Sequence, residues 1–176
     1  MVQSASLPGE EEMKSRNQAS SPERQILLNF LEDAYSRKAW HGPNLKGTIR
    51  GLTEDLAQER PAAGRHNIWE IVVHAAYWKY AVRRRLLGEK RGSFLLKGSN
   101  WFRCPDVLTG DSWKSTVAML DKEHHLLREA ILKIPPAALY TPSAGSKTTN
   151  ITLISGIASH DLYHAGQIQL IKRLIR

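Results

Sequence analysis

Residues 151–175 read ITLISGIASHDLYHAGQIQLIKRLI, a stretch without proline in which large apolar side chains return every three or four positions. That period predicts one long amphipathic helix from about Ile151 to Ile175. At heptad-like spacing its inward seam is Leu153, Ile157, His160, His164, Gln167, Ile171 and Leu174. Apolar groups occupy both ends of the seam, and two imidazoles occupy its middle. A buried polar group without a partner costs about 1–3 kcal/mol, so His160 and His164 call for hydrogen bonds, water or a cation. Residues four apart on a helix lie about 40° apart around its axis and about 6 Å along it, which lets two ring nitrogens converge on one ion. Asp161 and Tyr163 fall beside the seam. Asp161 is expected to be solvated, with a hydrogen bond to a ligand's second nitrogen as the alternative.

Three more helices are legible upstream. Ser21-Pro22-Glu23-Arg24 sets a cap residue before a proline at the first helical position, and Ile26, Leu27, Phe30, Leu31 and Ala34 follow at helical spacing. This helix is expected to end near Trp40, before Gly42 and Pro43. A second runs from Asn67 to Leu87 with the stripe Ile71, His74, Ala75, Trp78, Val82 and Leu86, and Gly88 stops it. A third, capped by Asp111, reaches Ile134 through Trp113, Val117, Leu120, His124, Leu127 and Ile131, and Pro135 and Pro136 end it. The connection 41–64 carries at most a short helix around Thr53–Glu59. The segment 88–110 reads as a long irregular crossover, expected to pack on something or to border a site. A second loop, 140–150, leads into the final helix. No strand-like alternation competes with these patterns. The expectation is an all-α fold, a four-helix bundle with long crossover connections over residues 22–176. Residues 1–21, with Pro8, Gly9 and three consecutive glutamates, are expected to form a disordered tail.

The 176 residues suit one domain, and 41% hydrophobic with 24% charged residues is ordinary for a soluble protein. No apolar run approaches the roughly 18 residues of a membrane span. The lone Cys104 excludes an internal disulfide framework and a cysteine-rich metal site, and it fits a reducing compartment. No secretory pattern opens the sequence, so the cytoplasm is the expected location. The net charge of +8 is spread along the chain, with dense runs at 79–85 and 172–176. Both fall within helical patterns and read as solvated faces, so nucleic acid is not an expected partner.

His74 lies mid-stripe on the second helix, where it would point inward and could meet His160 and His164 from a facing helix. Three neutral imidazoles would hold a divalent cation such as zinc or nickel and leave coordination positions open, as in catalytic sites. The competing reading is three core histidines satisfied by backbone or water.

The segment His160-Asp161-Leu162-Tyr163-His164-Ala165-Gly166-Gln167-Ile168 resembles the signature helix of the DinB/YfiT superfamily, and Ile68-Trp69-Glu70-Ile71-Val72-Val73-His74 resembles its first histidine-bearing helix. The order and the 86-position spacing between His74 and His160 also agree. The resemblance implies a four-helix bundle, commonly a homodimer, with a divalent metal on His74, His160 and His164. It also implies a metal-dependent enzyme acting on a small molecule. Characterised relatives are transferases and isomerases that use low-molecular-weight thiols, and a related hydrolase activity would use the same centre. The alternative is a non-catalytic helical module whose metal is structural and which serves dimerisation or partner binding.

Other residues extend the candidate site. Gln167, one turn beyond His164, could orient a ligand. His124 lies on an inward seam and is a candidate polar group near the centre. His41 resembles a loop histidine that could act as general acid or base if it closed over the metal. His66 is expected to be structural or exposed, and Cys104 inert. Gly156 and Gly166 on the final helix suggest close helix approaches there.

Overall fold

The helices form where periodicity and caps place them. A computed structural model describes residues 21–92, 94–143 and 146–175. Apart from Ser21, the expected tail lies outside the described residues. The elements in chain order are α1 (Pro22–Tyr35), α2 (Leu45–Ile49), α3 (Glu54–Gln58), α4 (Ile68–Leu86), α5 (Gly110–Lys133), a short 3-10 turn (Pro136–Tyr140) and α6 (Asn150–Leu174). Among the described residues there is no strand, and the fold is all-α as the sequence predicts.

The caps show why the ends fall there. Ser21 Oγ accepts from the Arg24 N–H, with Pro22 at the first turn. Asn67 Oδ1 accepts from the Glu70 N–H at 2.9 Å, while its amide donates to the Gln58 carbonyl and ties the start of α4 to the end of α3. Thr109 and Ser112 form a reciprocal capping box, so α5 starts from Thr109 and not from Asp111. α1 stops at Tyr35 rather than near Trp40, because Ser36, Arg37 and Lys38 offer nothing to bury; Trp40 itself is 97% exposed. α2 and the 3-10 turn have no counterpart in the sequence reading, since elements of five residues are too short to show a period.

Contacts between the long helices fix their directions. Arg24 at the start of α1 donates to the Ile134 carbonyl just past the end of α5, so these two run antiparallel. Trp69 Nε1 donates to Thr116 Oγ1, and further along Arg83 meets Glu123, so α4 and α5 run parallel. Ile71 shares a core cluster with Ile168 and Ile171, while Val82 shares another with Ile154 and Ile157, so α4 and α6 are antiparallel. Parallel neighbours in sequence need a connection as long as the bundle, about 28 Å for a helix of 19 residues. Residues 87–109 supply that return, and Gly88, at φ +68°, turns the chain out of α4.

The core is two apolar clusters with a polar layer between them. One gathers Ile68, Trp69, Val72, Phe102, Trp113, Leu120 and Ile168; the other gathers Leu27, Leu31, Val82, Leu127, Ile131, Ile154 and Ile157. Between them Lys79 of α4 and Asp161 of α6 form an ion pair, both side chains fully buried. Lys79 Nζ also lies 3.3 Å from His124 Nδ1 and 4.7 Å from the centre of the Tyr35 ring, and Tyr35 stacks on His124. This overturns two expectations. Lys79 is not part of a solvated basic face, and Asp161 is not a solvated carboxylate. The buried face of α6 is centred on Ile154, Ala158, Asp161, Ala165 and Ile168, one position away from the seam read in the sequence. That offset moves His160 and Gln167 to the edge of the face, where both are half-buried.

Gly156 and Gly166 also depart from expectation. A Cβ at either position would meet nothing within 4 Å, and both glycines are exposed, so no close helix approach accounts for them.

Two predictions follow from the packing. Gly156→Ala and Gly166→Ala should each stabilise the fold by about 0.5–1 kcal/mol in urea unfolding. Removing one partner of the buried pair, in Lys79→Met or Asp161→Leu, should cost about 3–5 kcal/mol, whereas the double variant should recover most of that loss.

Candidate metal centre

The three histidines converge. His74 sits in the first half of α4, seven positions after the Asn67 cap, on the face turned to α6. His160 and His164 come from successive turns of α6. His74 Nε2 lies 3.1 Å from His160 Nε2, and His164 Nε2 lies 3.0 Å from the same atom. The three candidate ligand atoms all fall within 4.8 Å of one another. Ring nitrogens bound at 2.0–2.1 Å to one ion, at the angles of four- to six-coordinate geometry, are separated by roughly 2.9–3.4 Å. The two separations from His160 Nε2 match that range.

The other ring nitrogens set the tautomers. His74 Nδ1 donates to the Asn100 carbonyl at 2.8 Å, which leaves its Nε2 lone pair facing the cluster. His164 Nδ1 pairs with Gln167 Oε1 at 2.7 Å, and Gln167 Nε2 donates to the Tyr163 hydroxyl, which fixes the amide orientation. His164 therefore also presents an Nε2 lone pair. His160 faces both lone pairs, but a single N–H at its Nε2 can donate well to only one of them. Its Nδ1 is buried without a hydrogen-bond partner among the described residues. A cation at the centre satisfies all three Nε2 atoms together, so the residues present fit a divalent ion.

Electrostatics favour the neutral rings a cation requires. Burial, followed by the neighbouring His164, His74 and Lys79, pushes the His160 pKa down to about 3. Burial also pushes His164 down to about 4, against the bond to Gln167, and it lowers His74 against the Asn100 carbonyl.

The crossover builds one wall of the site. Asn100 has φ +64°, a left-handed conformation that asparagine tolerates better than most residues. It places its carbonyl on His74 while its side chain accepts from Trp78 Nε1 at 3.0 Å. The next residue, Trp101, stacks on His74 with ring centres 3.8 Å apart and on His66 at 3.7 Å. Two rings this near the indole centre must occupy its opposite faces, so Trp101 is sandwiched between a cluster histidine and His66.

The remaining sequence candidates lie elsewhere. His124 is 6% exposed and belongs to the Lys79–Asp161 layer, with its Nε2 3.4 Å from Glu32 Oε1; it is not among the converging groups. His41 is exposed beside Trp40 and is not among the converging groups. Gln167 touches His164 directly. Cys104 is buried, and burial raises its thiol pKa. Asn100, Trp101 and Lys79 were not singled out in the sequence. The only advance signal was the unusual length of the crossover that carries Asn100 and Trp101.

With this geometry in view, the comparison with known families is decisive. A sequence profile described as the DinB superfamily matches residues 39–168, most of the chain and all three histidines. The chain belongs to the DinB superfamily. Comparisons with curated proteins and with solved structures gave no significant match. As a DinB-superfamily domain it carries a histidine triad able to hold a metal ion, and α1 lies upstream of the matched region.

Acid should destabilise the metal-free protein. His124, buried and surrounded by the charges of Lys79 and Arg128, is pushed down from 6.5 to about 2. Below 6.5 the unfolded chain therefore binds a proton that the folded chain refuses, and stability falls with pH. The three cluster histidines act in the same direction. Asp161, raised by burial from 3.8 to about 6, and Glu123, also raised by burial, oppose them, while Glu70, held down to about 2 against burial by Arg60 and His66, adds to the loss. The melting temperature should fall steadily between pH 7 and 4.5 in thermal denaturation.

Proposed function

We propose that this chain is a divalent-metal-dependent enzyme acting on a small molecule, with zinc or nickel held by His74, His160 and His164. The observation that carries the reading is the convergence of three Nε2 atoms, with the second nitrogens of His74 and His164 fixed by Asn100 and Gln167. Three protein ligands leave at least one position of a tetrahedral site open, the arrangement of catalytic rather than structural zinc. Such an ion supplies Lewis acidity, making a thiol or a water a usable nucleophile near neutral pH. A low-molecular-weight thiol as second substrate follows from the family resemblance, and a transferase reaction is the form this reading takes. A homodimer in the cytoplasm completes it. No helix among the described residues is long and apolar enough to cross a membrane.

The chain's own residues would divide the work. Asn100 and Gln167 hold His74 and His164 as Nδ1–H tautomers and aim their Nε2 atoms. Trp101 covers one face of His74 and keeps water from it. His160, the most accessible of the three, leaves the approach on its side. The rival reading, a structural metal in a partner-binding module, lacks a fourth histidine, cysteine or carboxylate in the cluster among the described residues. Binding of nucleic acid is disfavoured in the same way. Lys79 is withdrawn from the basic run by burial, and Arg83 is engaged by Glu89 and Glu123.

Purified protein should carry about one divalent ion per chain by elemental analysis, and His164→Ala should lose it. Stoichiometric metal retained in that variant would overturn the assignment. A cobalt-substituted sample should change its visible spectrum when a small thiol is added, and an unchanged spectrum would reject an open position.

A further inference from the structure

On the far side of Trp101 from the histidine cluster lies a groove of about 440 Å³ between the outer face of α6 and the connection preceding α4. That volume is in the range of small-molecule sites. Its apolar surface comes from Trp101, Ile71, Leu170, Ile171 and Leu174. Leu170 and Leu174 are 58% and 60% exposed, consistent with a surface that receives an apolar body. The polar groups at the groove are Arg65, His66 and Gln167.

The charges there are arranged with one sign outstanding. Glu70, 5% exposed at its side chain, is the nearby carboxylate, and it is already satisfied. Arg60 makes a two-pronged contact with it, His66 Nδ1 lies 2.7 Å from its Oε2, and the Cys104 N–H donates to its Oε1. Bonding to Glu70 through Nδ1, together with stacking on Trp101, fixes the His66 ring and leaves Nε2 without a hydrogen bond among the described residues. Arg65 forms no ion pair among the described residues; its backbone carbonyl accepts from Arg60 and its N–H donates to the Ala62 carbonyl. The groove thus offers one uncompensated guanidinium beside an apolar trough. A single guanidinium matches a monoanionic carboxylate, which it can hold through two parallel N–H bonds.

We propose that this groove is a binding site for a small organic carboxylate with an apolar body, the acid held by Arg65 and the body laid along Ile171 and Leu170 against the edge of Trp101. The site adjoins the histidine cluster through two shared residues. Trp101 has one face on the groove side against His66 and the other on His74, and Gln167 lines the groove while holding His164. In relation to the enzyme reading above, the groove is a ligand site beside the metal centre, with the approach to the histidines themselves left on the His160 side. Ligand binding at the groove is measured apart from the metal, so the two stand or fall separately.

The test uses the full chain with 4-phenylbutyrate and its neutral amide, followed by the indole N–H resonance of Trp101, assigned through its loss in Trp101→Phe. The acid should shift that resonance with millimolar or better affinity and bind about tenfold more tightly than the amide. Arg65→Gln should reduce the acid to the affinity of the amide and leave the amide unchanged. Leu170→Asp should weaken both at least about tenfold. Both substitutions are at exposed positions, and unchanged helical circular dichroism checks that the fold is kept. Equal affinity for acid and amide, an unchanged Arg65→Gln, a Trp101 resonance unmoved at about 10 mM acid, or tighter binding of inorganic phosphate would each overturn the proposal. His160→Ala separates the two readings. It should lose the metal and retain the acid, whereas wild-type protein that binds the acid but no metal would sink the enzyme reading alone.

Discussion

The structure depends on a buried ion pair between two antiparallel helices. Lys79 and Asp161 are both removed completely from water, a desolvation that is repaid only when the two charges meet in good geometry. A slide of α4 against α6 by one turn would leave two unpaired buried charges, so the pair selects one register. His160 is the neighbour of Asp161 on α6, and His74 lies five positions before Lys79 on α4. The register that joins the charges is therefore the one that brings the imidazoles together.

The same layer sets the electrostatic character of the site. It separates two apolar clusters, so the histidines beside it are poorly solvated and resist protonation. The Lys79 charge adds to burial in keeping both His160 and His124 neutral. For a fold alone this is a cost, felt as acid sensitivity. For a cation it is an advantage, because the lone pairs are already free. The buried Nδ1 of His160, without a hydrogen-bond partner among the described residues, is the desolvation cost that the arrangement leaves.

Chain topology contributes the third part. Because α4 and α5 are parallel, the polypeptide must travel the length of the bundle between them. That return passes directly over the histidines. Asn100 and Trp101 use it to fix His74 and to divide the cluster from the neighbouring groove. A connection needed for geometric reasons thus positions a ligand and walls the site.

How much of this could be read beforehand follows from the range of the interactions involved. Long helices rest on local periodicity and caps, and α4 and α6 appear close to their observed limits from Asn67, Gly88 and the 151–175 pattern alone. The His-x3-His spacing and the mid-stripe position of His74 are also local, so the three histidines were visible as candidates. The depth of neighbouring side chains was not. Adjacent residues on a helix differ by about 100° around its axis, so a seam misread by one position exchanged Asp161 for His160 as the deepest group, and Lys79 passed for a surface cation. The hydrogen bonds from Asn100 and the stacking of Trp101 on two histidines join segments with no common period. The amino-acid order by itself determined which stretches are helical and which imidazoles face inward. The tertiary structure decided which charge is buried, which loop fixes the ligands and what lies beside them, because those outcomes depend on packing partners distant in sequence.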